Sequence, residues 1–211
     1  MLDDRPAPHP PQFDLDGGRL CLDFANTLGV SSADRLPHPD ALLAFAEQAD
    51  LAPQAQLAAA RAELRAQPDH GQAWLDHAKR LRQAIFGLFT AVVARRPPNA
   101  PDLAVLNDEL AVALAHRCLV AVPDGGYTWG WQAEPFAAAH LLWPVVRSAA
   151  ELLTSPERDQ VRQCAADDCP WLFLDTSRNR SRQWCSMATC GNRAKARRYY
   201  GRRRRPEAVT A

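Results

Sequence analysis

The chain has no apolar run approaching the roughly 18 residues a bilayer-spanning helix needs, so no membrane partner is expected. Its first residues, MLDDRPAPHPPQF, hold no apolar stretch of the kind a secretory leader carries. At 211 residues with six cysteines, it is also neither short nor cysteine-dense enough for a disulfide-stapled secreted scaffold. A soluble protein in the reducing cytoplasm is the expectation. Chemistry is equally sparse. No Gly-rich phosphate loop, no H-E-x-x-H and no G-x-S-x-G occurs. The six histidines, the last of them His140, fall at no metal-ligand spacing and read as surface or core groups. No nucleophile–base set can be picked out, so the chain is read as a non-enzyme. No period of 20–50 residues recurs, which excludes a solenoid. The most localised absence is acidic: from Arg178 to Arg205 there is not one Asp or Glu.

That same stretch holds ten Arg and one Lys. The net charge of the whole chain, +1, therefore hides a division. Residues 157–211 carry 13 Lys and Arg against 6 acids, and residues 1–156 carry 12 against 18. A basic end on an acidic body is the electrostatic footprint of a polyanion-binding module, nucleic acid first.

Four of the cysteines sit at the basic end, as Cys164 and Cys169 and then Cys185 and Cys190. Each pair is C-x4-C, with fifteen residues between the pairs. Two tight thiolate pairs suit a tetrahedral, structural Zn²⁺ with no open position for substrate. Disulfides or free thiols are the competing account. Cys21 and Cys118 stand alone and read as core thiols.

The apolar spacing gives a mainly α fold with a small β-hairpin: a helical domain over 1–156, a treble-clef-like zinc finger over 157–205, and a disordered tail at 206–211. After a frayed lead-in at 1–12, Gly17-Gly18 marks a turn into LCLDFANTL, whose spacing fits a helix or a short strand, with helix preferred. Helices are expected near 39–50, 54–66, 72–95 and 101–115, the last with Leu103, Leu106, Leu110 and Leu114 on one side. Arg117–Val122 and Tyr127–Trp131 flank Pro-Asp-Gly-Gly, a hairpin signal. Helix returns over 134–153, where Pro144 marks either a kink or a break. Arg19, Asp23 and Asn26 are polar among apolar neighbours. They read as local caps or as a candidate pocket for a small-molecule effector, which Trp129 and Trp131 would help to line.

In the small module, Trp171–Asp175 has strand character, and Arg182–Cys185 is expected to return antiparallel to it. The loop between them presents Arg178, Arg180 and Arg182 to phosphate, with Asp175 available for a surface ion pair. A helix starting near Cys190 would carry Arg193 and Arg197 on one face, with Lys195 and Arg198 to either side. Asn192 and Arg193 have the chemistry to read adenine and guanine edges, although Asn192 serves equally well as a cap of the second cysteine pair. Duplex DNA is the expected partner, with structured RNA or a ribosomal site as the alternative. A homodimer through the body is also expected.

The segment CPWLFLD, followed by RNRSRQWCSMATCGNRAKARR, resembles the CGNR zinc-finger family, named for Cys190-Gly191-Asn192-Arg193. GGRLCLDFANTL resembles the opening of the ABATE-type domain that precedes such fingers in bacterial proteins. The resemblance implies a stress-related transcription regulator, with zinc held by Cys164, Cys169, Cys185 and Cys190. It implies no ligand for the amino-terminal domain.

Overall fold

A computed structural model describes residues 11–29, 34–132 and 138–203. Most of the expected lead-in, the first residues of the helix expected at 134–153 and the tail at 206–211 lie outside them. In chain order the described elements are α1 Leu20–Asn26, α2 Pro39–Gln48, α3 Gln54–Ala66, α4 Pro68–Val93, α5 Ala100–Ala115, β1 Arg117–Ala121, β2 Tyr127–Trp131, α6 Trp143–Thr154, β3 Val161–Gln163, β4 Leu172–Leu174 and α7 Asn192–Arg203. The fold is mainly helical, with two antiparallel strand pairs. No helix among the described residues is long and apolar enough to cross a membrane.

α1 is short, and Cys21 through Asn26 are all buried. A helix enclosed on every side has no polar face, which is why its sequence fitted a strand as readily as a helix. It packs against α4 and α6, where the Ser148 hydroxyl accepts the Cys21 N–H at 3.2 Å. α4 is the long strut, burying Trp74, Ala78, Leu81, Ile85 and Leu88 along one stripe. It begins four residues before the expected 72 because Pro68 lies in its first turn, where a missing N–H costs nothing. Phe24, Phe45 and Phe89 are fully enclosed, each contributing about 1.5–3 kcal/mol of burial.

At three points the structure adds to or departs from the expectations. On α5 only Leu106 and Ala113 are buried, with Leu110 half-buried beside them. Leu103 and Leu114 lie at the flank of that stripe and stay exposed, because α5 edges the bundle and meets only α4 and α6 closely. Of the two readings of Pro144, a kink or a break, the break is the one found. The proline falls in the first turn of α6, after a 3-10 turn at Ala139–Leu142. Cys118 is half-buried on β1, whereas Cys21 is a core thiol that burial pushes up to about 12.

A further correction concerns the small module. β4 pairs with β3, with Phe173 opposite Arg162, and not with 182–185. Its alternation explains the choice. Leu172 and Leu174 point into the main core beside Val161, while Trp171 and Phe173 face the cysteine cluster. β4 is thus a wall common to both parts of the chain. Its other edge is closed by the body. Asn26 donates to the Leu172 carbonyl at 2.8 Å and accepts the Leu172 N–H at 2.9 Å. Gly17 accepts the Leu174 N–H at 2.8 Å. Gly18 has φ +80, which favours glycine, and a Cβ there would press on Leu174 Cβ at 3.2 Å.

The polar trio read as caps or a pocket makes internal bonds. Asp23 accepts the Gly17 N–H at 2.7 Å, Asn26 holds Leu172, and Arg19 pairs with Glu157 across the junction. Burial pushes Asp23 up to about 6, against the Gly17 N–H that favours its ionised form. A raised carboxyl pKa favours folding while protonated, so its contribution is fully present below about pH 4 and is lost as pH rises through about 6. Asp23→Asn keeps an acceptor for Gly17 and removes the charge. Urea denaturation should show it more stable than the wild type at pH 7 by about 1–3 kcal/mol, with a flatter stability profile between pH 4 and 7. A variant profile as steep as the wild type's would assign that slope to other groups.

Candidate metal centre and nucleic-acid interface

Cys164 follows β3, and its N–H continues the ladder to the Trp171 carbonyl at 2.8 Å. Cys169 closes the tight turn between β3 and β4, donating to Ala166 at 3.0 Å. The chain returns with Ala165 bonded to the Gln183 carbonyl at 2.8 Å, which sets Cys185 opposite the first pair. Cys190 lies in a π-helical turn, Met187–Gly191, that runs directly into α7.

These folds bring all four Sγ atoms within 4.8 Å of one another, every one buried. Cys169 and Cys185 are 3.6 Å apart, and Cys185 and Cys190 are 3.5 Å apart. Both separations lie far beyond the roughly 2.05 Å of a disulfide. They are close to the roughly 3.8 Å edge of a tetrahedron built on 2.3 Å Zn–S bonds. The Cys185 N–H points at Cys164 Sγ at 3.5 Å, and the Arg193 guanidinium at Cys190 Sγ at 3.4 Å, donors that stabilise thiolate ligands. Burial pushes Cys169 up to about 12 and drives Cys185 in the same direction. Burial is the largest single influence on Cys164 too, but the hydrogen bonds from the Cys185 and Ala166 amides and the neighbouring thiols together outweigh it and lower that thiol. A buried set of four thiolates needs a cation to balance it. The donor set is that of a closed structural zinc site, and the metal there supplies cross-linking rather than catalysis.

The tetrapeptide around Cys190 divides into structural duties. A Cβ at Gly191 would lie 2.6 Å from Met187 Sδ and 3.1 Å from Trp184, so any larger residue would have to displace the Met187 side chain. Asn192 donates to the Ala188 carbonyl at 3.2 Å within its own turn. Arg193 binds Asp168 at 3.0 Å as well as the sulfur. One turn on, Arg197 reaches Asp168 at 3.2 Å and Asp167 at 3.7 Å. Those two acids lie inside the first C-x4-C turn. Sequence reasoning missed them, because only the shared metal sets that turn beside α7. The available signal was the Asp-Asp pair lodged between two ligands.

The loop arginines also separate. Arg178 and Arg180 are exposed. Arg182 is half-buried. It donates to the carbonyls of Trp184, at 3.0 Å, and of Cys185, and its guanidinium lies 4.4 Å over the Phe173 ring. Asp175 makes no surface ion pair. It is buried, accepting from the Ser177 N–H and hydroxyl and from the Arg182 N–H. Burial alone would raise its carboxyl, yet those donors hold it below the usual range. Asp175 therefore shapes the loop that displays Arg178 and Arg180. On α7, Lys195 falls about 200° around the helix from Arg193 and is exposed, while Arg198, also exposed, borders the hollow that Asp167, Arg193 and Arg197 line. In the body, Trp129 is exposed and Trp131 packs on Trp143 with centroids 5.4 Å apart.

Comparison with known families agrees with this architecture. The ABATE model, described as "Putative stress-induced transcription regulator", matches residues 18–156. The CGNR zinc-finger model matches residues 160–203. A search of curated proteins finds no match. The chain belongs to the ABATE family and carries a CGNR zinc finger at its carboxy-terminal end.

Proposed function

We propose that this protein is a zinc-dependent DNA-binding regulator, residues 157–205 forming the binding module and 1–156 the body that positions it. The observation that carries the reading is α7. It starts two residues after Cys190, ties Arg193 and Arg197 to the Asp167–Asp168 pair, and shows Lys195 and Arg198 to solvent. Lys195 and Arg198, with Arg178 and Arg180 from the Asp175-braced loop, contact phosphates. Arg193, Arg197 and Arg182 set the helix and loop in place. Asn192 lies at the helix start, where base edges are nearest. The ABATE match supports a regulatory role.

Binding to random-sequence duplex should weaken steeply with salt. Lys195→Gln and Arg198→Gln should each lower the slope of log K against log salt by about 0.9, the value for one lost phosphate contact. Unchanged slopes in both variants would move the contact surface off this face. Exposed Tyr199 and Tyr200 favour a second reading, stacking on unpaired RNA bases. Competition between duplex DNA and a structured RNA pool separates the two.

A further inference from the structure

The β1–β2 hairpin carries a face that the activity proposed above does not use. In the strand register, Arg117 faces Trp131, Leu119 faces Trp129 and Ala121 faces Tyr127. All six side chains therefore project from one side of the two-stranded sheet. Leu119 is 63% exposed, Trp129 61% and Tyr127 76%. Arg117 is the one charge on this face, and its guanidinium lies over the rings of Trp131 and Trp129, at 4.3 and 5.1 Å from their centroids. The last turn of α5, which feeds β1, leaves Val112 and Leu114 exposed as well.

We infer that this aromatic face is a self-association surface, packed in solution against the same face of a second copy. A two-stranded hairpin is marginal in water without something against its apolar side, and on this one the Trp131 end rests on Trp143 while Leu119, Trp129 and Tyr127 stay uncovered. The uncovered parts of Tyr127 and Trp129 amount to on the order of 300 Å². Leu119 brings the face to roughly 400 Å², about half of what one partner contributes to a standard interface before the hairpin's flanks are counted. Charge selects the occupant. Residues 1–156 hold 12 cations against 18 acids, so two bodies repel wherever their acids meet. Residues 117–131 hold only Arg117 and Asp124, a net of zero, and Arg117 already lies on its own rings. A flat, neutral face of paired aliphatic and aromatic side chains is self-complementary under a twofold axis, as an isologous contact requires. A nucleic acid would find no cationic surface here, and an acidic or basic peptide no free opposite charge.

The test is sedimentation equilibrium of the zinc-loaded full chain without nucleic acid, across about 1–100 µM, a range that brackets interfaces of moderate affinity. A monomer–dimer equilibrium is expected. Trp129→Asp and Leu119→Asp should each weaken it by at least about 100-fold, since an isologous contact feels each change twice. Thr128→Asp, on the opposite side of the same strand, should shift it by less than about threefold. Because Trp129 and Leu119 are exposed, the variants should melt within a few degrees of the wild type, and two variants guard against one that misfolds. A wild type that stays monomeric throughout, or Trp129→Asp and Leu119→Asp chains that associate like the wild type, would overturn the inference. Since no nucleic acid is present, either failure leaves the DNA-binding proposal untouched.

Discussion

Stripping zinc from the protein should unfold the cysteine module and loosen the helical body with it. A structural four-thiolate zinc contributes on the order of 10–16 kcal/mol of apparent folding free energy, as much as the total stability of a typical domain. The cluster it organises is small: Trp171 and Phe173 between the four cysteines, with Trp184 alongside. No core of that size folds without the cross-link. The effect travels inward because β4 has its other face in the body, where Val161, Leu172 and Leu174 belong to the main core. Losing those three side chains from the interior removes about 5–8 kcal/mol of burial. Chelation, or Cys169→Ser, should expose residues 164–190 to proteolysis and lower the melting temperature of the body by at least about 10 °C. A body that melts at the same temperature with and without the metal would show that β4 stays docked unaided, and would end the account of a common wall.

Replacing Asn26 should have the next largest effect on stability. Its amide completes both hydrogen bonds of Leu172 at 2.8 and 2.9 Å, from a site that is 3% exposed. Asn26→Ala leaves a buried N–H and a buried carbonyl without partners, at a cost of about 2–4 kcal/mol. The melting temperature should fall by roughly 5–15 °C, and zinc affinity should fall with it because docking and metal binding are linked. Asn26→Asp is expected to be at least as damaging, since a carboxylate can accept from Leu172 but cannot donate to its carbonyl. Calorimetric melting and a competitive zinc titration measure both effects. An alanine variant with unchanged zinc affinity would mean that the two parts of the chain fold independently.

The metal site was legible because its information is local. A C-x4-C pair defines its own turn, and two such pairs at the basic end leave little for the thiols to do except hold a metal. The helices were legible for the same reason, from the stripes of α3 and α4, and so was the β1–β2 hairpin, from the Pro-Asp-Gly-Gly turn. Roles that depend on a distant partner were not. Arg193 looks like a base reader in sequence and is tied in space to Cys190 Sγ and Asp168. Arg182 looks like a loop cation and lies on the Phe173 ring. Asp175 looks like a surface acid and is a buried acceptor of three hydrogen bonds.

By itself the sequence determined the helical body, the four thiols and the polarity that sets a cationic end on an acidic chain. Each follows from periodicity, spacing or charge, quantities carried by neighbours along the backbone. Only the tertiary structure decided that β4 joins β3 rather than the returning segment, and that Asn26 and Gly17 seal its free edge. It alone turned Arg193 and Arg197 toward Asp167 and Asp168 and left Lys195 and Arg198 outward. The physical reason is the same in each case. A three-residue strand and a run of arginines have several locally equivalent partners, and burial of Leu172 and Leu174 against the body, together with four sulfurs drawn to one point, selects among them.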